Sequence, residues 1–124
     1  METSGFREIF TCIRHLLQPY SRQMQVKADN EGQYQLYIVK DIVLAGRSFK
    51  ECYFSGTVIH TSMVSFYFFP MYTHPDQFII PAAIQKNLKG KNCFNFKKLD
   101  NAQEKAIAGL LKEGAAFYKK IHLL

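Results

Sequence analysis

No two cysteines in this sequence stand close enough to act together. Cys12, Cys52 and Cys93 are far apart and odd in number. A disulfide framework or a structural zinc site is therefore not expected, and free thiols in a reducing compartment fit better. No apolar run approaches the roughly 18–20 residues that a membrane-spanning helix needs. The opening METSGFREIF carries two acids and no long apolar stretch, unlike a signal peptide. The expected location is cytoplasmic, with no membrane partner. His15, His60, His74 and His122 fall in no HxH, HxxxH or HExxH spacing, so no metal ligand set is legible. Paired carboxylates, a Ser–His–Asp arrangement and a nucleotide fingerprint are missing as well. The expectation is a non-enzymatic protein with no catalytic residues and no resident cofactor.

What is present is enough to fold. The 124 residues are 48% apolar and 21% charged, ordinary values for one globular domain spanning residues 1–124. The net charge of +6 is uneven. Residues 1–85 balance seven basic against seven acidic side chains, whereas residues 86–124 hold nine lysines against Asp100, Glu104 and Glu113. The whole excess lies in the last third and is lysine alone. A solvated lysine-rich surface gives this pattern, and so does an anion-binding face. The lack of arginine there argues against nucleic acid, because arginine makes the bidentate phosphate and base contacts.

Phe6, Ile9, Phe10, Ile13, Leu16 and Leu17 recur at helical steps, with Ser4 as the expected cap and Pro19 as the stop. Residues 24–39 read as a hairpin around Asn30-Glu31-Gly32, the glycine supplying positive φ. Ala45-Gly46 is an expected turn. KECYFSGTVI and SMVSFYFF follow as third and fourth strands about a two-residue His60-Thr61 turn. Pro81 is placed at the first position of a short helix that Gly90 ends. NCFNFK is a short fifth strand, with Cys93 and Asn95 on one face and Phe94 and Phe96 on the other. Asp100 and Gln103 form a capping box for a last helix with Ile107, Leu110, Leu111, Phe117, Tyr118 and Ile121 on its stripe. Gly114 interrupts that stripe, as close packing on a sheet would require. The expected fold is α+β: a two-layer sandwich with an antiparallel sheet of about five strands and both terminal helices on one face.

VSFYFFPMY, LKGKNCFNFKKLD and a last helix beginning NAQEKAIAGLL together resemble the YdhG-like family of small bacterial proteins. The resemblance covers nearly the whole chain and is most specific over residues 64–100. It implies the same two-layer fold. Because some members have been proposed as frataxin-like iron-binding proteins, it also implies an iron chaperone role as an alternative function. Such a site needs several carboxylates clustered on a helix and the adjoining strand edge. Here the first helix offers Glu8, with Glu2 before it, and the last offers Glu104 and Glu113 among lysines.

The strand VSFYFF poses the main question. Phe66 and Phe68 point to one face, Tyr67 and Phe69 to the other, so both faces of the sheet are aromatic here. Two helices on one side cannot cover both. The second face needs another covering: the fold-back of residues 70–90, a ligand, or a second copy of the chain. The fold-back is the default. The leading functional expectation is a domain that binds an anionic or aromatic small ligand, or a protein partner, at Tyr67, Phe69, Tyr72, His74, Lys91 and Lys97. A homodimer that closes the second face is a further alternative. Aromatics interleaved with lysines also occur on single-strand nucleic-acid platforms, but the alternation of Phe94 and Phe96 with Asn95 assigns those rings to the core. Lys91 and Lys97 could activate Cys93, with His74 as base, although a cysteine between phenylalanines on a strand reads as a small core hydrophobe. LKGKN lacks the phosphate-loop frame and is read as a helix end whose lysines stand in solvent.

Overall fold

The computed structural model describes residues 5–44 and 46–124. Ser4 and Glu2, and the Ala45 half of the Ala45-Gly46 turn, lie outside them. Helix α1 (Phe6–Leu17) starts after Gly5 and runs on into a 3-10 turn, Gln18–Arg22, that accommodates Pro19. Strands β1 (Gln25–Asp29), β2 (Gln33–Leu44), β3 (Arg47–Ile59) and β4 (Val64–Phe68) follow as a meander. A short α2 (Pro70–Thr73) and 3-10 turns at Pro75–Gln77 and Ala82–Asn87 lead to β5 (Leu88–Lys89), β6 (Cys93–Phe96) and α3 (Asn101–Lys120). All strand pairs are antiparallel. The sheet has six strands in the order β1-β2-β3-β4-β6-β5, one more than the sequence pattern suggests because β5 has only two residues.

Both long helices lie on one face, as their stripes require. Ile9, Ile13 and Leu17 of α1 and Ile107, Leu111 and Tyr118 of α3 are fully buried, with Phe54, Phe66, Phe68, Phe94 and Phe96 of the sheet beneath them. Burying a side chain of this size stabilises the fold by about 1.5–3 kcal/mol. The capping box is complete. The Asp100 carboxylate accepts from the Gln103 backbone N–H at 2.7 Å, and the Gln103 side chain accepts from the Asp100 N–H at 2.9 Å.

Several turns differ from expectation in ways that local chemistry explains. Gly32 does not have positive φ; the left-handed glycines are Gly46 and Gly90. The first hairpin is held instead by the Asn30 side chain, which accepts from the backbone N–H groups of Gly32 and Gln33, an Asx turn that replaces glycine geometry. The third hairpin is shifted by one residue: the His60 N–H donates to the Met63 carbonyl, leaving Thr61-Ser62 at the tip. Residues 82–87 form a 3-10 turn with Pro81 just outside it. LKGKN is not a helix end. Leu88-Lys89 form β5 and residues 90–92 turn the chain into β6, with Gly90 at φ +73°.

Two register shifts shape β2 and β3. Leu36 pairs with Ser55 but Tyr37 pairs with Tyr53, so Phe54 is an extra residue, a bulge on β3. A second shift, between Val39 and Ile42, places an extra residue of β2 at Lys40-Asp41. The two strands also outrun their neighbours. β1 reaches only Tyr37 of β2, and β4 pairs with β3 only over Ser55–Ile59. The distal hairpin thus projects as a two-stranded arm.

Candidate functional site

The default covering of the second sheet face is not what the structure shows. Residues 70–87 turn to the helix side. Phe78 packs edge-on against Phe68 and Phe117, while Pro70, Met71 and Ile84 are buried. Tyr72 reaches back to the outer face, where it stacks on Phe69. The outer face is covered by its own side chains, arranged as a row. Tyr37 meets Tyr53 at 5.1 Å between ring centroids, Tyr53 meets Phe69 at 5.8 Å and Phe69 stacks on Tyr72 at 5.2 Å. A lysine closes each end, Lys27 over Tyr37 and Lys91 over Tyr72. Ring–ring and cation–ring contacts of this kind each contribute about 0.5–1.5 kcal/mol. The Tyr53 hydroxyl donates to Gln35 Oε1 at 2.5 Å, and both side chains lie over Gly56, where a Cβ would overlap them. Burial pushes the Tyr53 phenol well above its ordinary value, so it remains a donor.

The six residues expected to form one site are divided. Phe69, Tyr72 and Lys91 come together at one end of the row. Tyr67 shares their face and pairs with Cys93 on β6. His74 is elsewhere: its Nδ1 lies 2.9 Å from Thr73 Oγ1 and its ring packs on Phe117. The backbone turns His74 toward α3 before Pro75, and this prevents it from serving Cys93. Lys97 follows β6 and faces a different cleft. Beside the row, Arg47, Phe49, Glu51, Tyr53, Phe69 and Tyr72 border a groove of about 580 Å³ along β3.

The thiols are poor nucleophiles. Burial raises the Cys93 pKa, outweighing the hydrogen bonds with Ser65 and Tyr67 that lower it. Cys12 is pushed up to about 12 by burial and by the Glu104 carboxylate it contacts. Among the described residues no three His, Cys, Asp or Glu side chains gather where they could hold a metal ion. No described helix is long and apolar enough to cross a membrane. Phe94 and Phe96 are fully buried and offer no stacking surface to a base.

The second cleft, of about 520 Å³, is the more distinctive in charge. Lys86 and Lys89 line it from the 3-10 turn and β5, and Lys97 and Lys98 line it from the segment leaving β6. Asn87, Asn95, Gln103, Met63 and Asp100 complete the wall. The amides are fixed: Asn87 donates to the Asn95 carbonyl at 2.9 Å, and Gln103 holds the α3 cap. Asp100 is the one acid among the described residues of the wall, and its carboxylate is engaged at the cap. The ion pairs Arg14–Asp29 and Lys27–Glu51 lie elsewhere on the molecule. The charge excess of the last third signals this cleft; its assembly from three segments is not visible in any one of them. Comparison with protein-family models, curated protein sequences and solved structures finds no match.

Proposed function

We propose that this protein is a non-enzymatic binding domain for a small, multiply charged anion of the phosphate-ester class, held in the lysine cleft. The convergence of Lys86, Lys89, Lys97 and Lys98 on one cavity carries the reading. Four ammonium groups around a single acid make a site of net positive charge, which concentrates anions. Lysine acts as a compact point charge with three rotatable donors, suited to phosphate oxygens presented at varied angles. Met63 gives one apolar wall for the organic part of the ligand.

The iron alternative has no carboxylate cluster among the described residues to support it. Calorimetry with pyrophosphate, a nucleoside triphosphate and a sugar phosphate tests the proposal. Binding should weaken steeply with added salt and be lost in Lys89→Glu/Lys97→Glu. Equal binding by that variant, or no binding of any of the three by the native chain, overturns it.

A further inference from the structure

The sheet has four exposed edges, and three are blunted. β1 carries a register shift at Lys27. β5 is two residues long and flanked by lysines. The free part of β2 has its bulge at the charged pair Lys40-Asp41. Short strands, bulges and charges are the usual defences against edge-to-edge pairing. The fourth edge carries charges as well, Arg47, Lys50 and Glu51, but it is long and regular. Residues 47–53 of β3 run without a bulge, pair on one side with β2, and have lost β4 on the other. Phe49 stands 42% exposed in their midst, beside the groove that Tyr53, Phe69 and Tyr72 border.

We infer that this edge is the interface with a second copy of the chain, formed by antiparallel pairing of the two β3 strands about a two-fold axis at Phe49. The sequence of the edge is self-complementary in that register and in no neighbouring one. An antiparallel pair related by a two-fold axis normal to the sheet sets a residue opposite itself, with partners equidistant on either side. Centred on Phe49, Arg47 lies opposite the partner's Glu51, and Glu51 opposite the partner's Arg47. The two Phe49 rings meet between these ion pairs, all on the outer face. On the other face Ser48 meets the partner's Lys50, so no like charges oppose. Centring on Lys50 instead sets lysine against lysine, and centring on Ser48 sets Arg47 against phenylalanine, with no ion pair in either case. Opposite-charge and aromatic cross-strand pairs stabilise a register, and like charges penalise it. The same pairing carries the partner's arm tip, at Gly46, alongside Cys52 and into the groove at Tyr53. The dimer joins sheet edges and leaves the lysine cleft, at the β5–β6 side, open.

Analytical ultracentrifugation with charge-swapped variants tests this. The native chain should be dimeric. Arg47→Glu alone and Glu51→Arg alone should each raise the dimer dissociation constant by about tenfold or more. Glu51 also pairs with Lys27 of its own chain, so the double variant Arg47→Glu/Glu51→Arg should bind more tightly than either single variant, because the opposition is restored with the signs exchanged, without reaching the native value. Phe49→Cys, mildly oxidised and mapped by mass spectrometry, should give a 49–49 cross-link. All these side chains are exposed, and circular dichroism verifies that each variant is folded. A monomeric native chain at about 1 mM, a dimer indifferent to the single reversals, or a double variant no tighter than the singles overturns the inference.

Discussion

The Phe68 ring occupies the place that a side chain on Gly114 would need: a Cβ built there would lie 2.5 Å from Phe68 Cζ and 3.2 Å from Pro70 Cγ. Phe68 is itself wedged by Phe54 and Phe78, so it has nowhere to retreat. Gly114→Ala should therefore destabilise by about 1–3 kcal/mol through overpacking, against the gain of about 1 kcal/mol that alanine brings to a helix interior. Urea unfolding measures it. Phe68→Leu in the Gly114→Ala background should recover part of the loss, giving a coupling of about 0.5 kcal/mol or more.

The aromatic row should behave as a structural unit. Tyr53→Phe removes the hydrogen bond to Gln35 and should cost about 1 kcal/mol. Tyr53→Ala also breaks contacts with Tyr37 and Phe69, and should cost about 2–4 kcal/mol. A Tyr53→Ala variant as stable as Tyr53→Phe would show that the rings contribute nothing beyond the hydroxyl.

Alkaline pH should unfold this protein by a thiol-linked route. The Cys12 thiol ionises near its ordinary value of 9.0 when unfolded but near 12 when folded, because burial and Glu104 oppose the thiolate. The folded state thus keeps its proton where the unfolded state releases it. Stability is full below pH 9, falls as pH rises from there, and stops falling from this group above about 12. Cys52, Cys93, Tyr53 and Tyr118 shift in the same direction. Cys12→Ala should flatten the decline of thermal midpoint between pH 9 and pH 10.5; an unchanged slope would show that Cys12 is not linked to unfolding.

In the absence of ligand the lysine cleft should be a mild liability. Like charges in proximity repel, so Lys97→Gln should raise the thermal midpoint slightly at low ionic strength. The gain should vanish above about 0.15 M salt, where the Debye length falls to about 8 Å. A drop in midpoint at low salt would mean that Lys97 makes a favourable structural contact instead.

Much of the fold was legible where a single segment carries its own signal. The α1 stripe needs only helical spacing. The cap Asp100-Gln103 needs three residues, and Gly114 stood out as the break in an apolar stripe. Legibility failed where the signal is shared between segments. β5 is too short to alternate, so Gly90 read as a helix end rather than a hairpin turn. Asn30 closes its loop with a side chain, which made the neighbouring Gly32 look like the conformational key. The aromatic row depends on which strands are neighbours, and the lysine cleft on a meeting of residues 86–89 with 97–98. His74 stands two residues from Tyr72 in sequence, yet the chain turns them to opposite sides of the sheet.

The bulge at Phe54 works as a change of reading frame along β3. Before it, odd-numbered residues face outward; after it, even-numbered ones do, with Gly56 following Tyr53 on the outer face. One strand therefore serves two alternations, and the extra residue keeps them in phase with β2. Deleting Phe54 would remove more than a ring from the core. Closing the gap at constant pairing would leave Ser55 to fill the space of a phenylalanine, while restoring the ring by slippage would turn Arg47, Phe49 and Glu51 inward. Substitution there costs packing, but a change of length sets the arm against the body of the sheet.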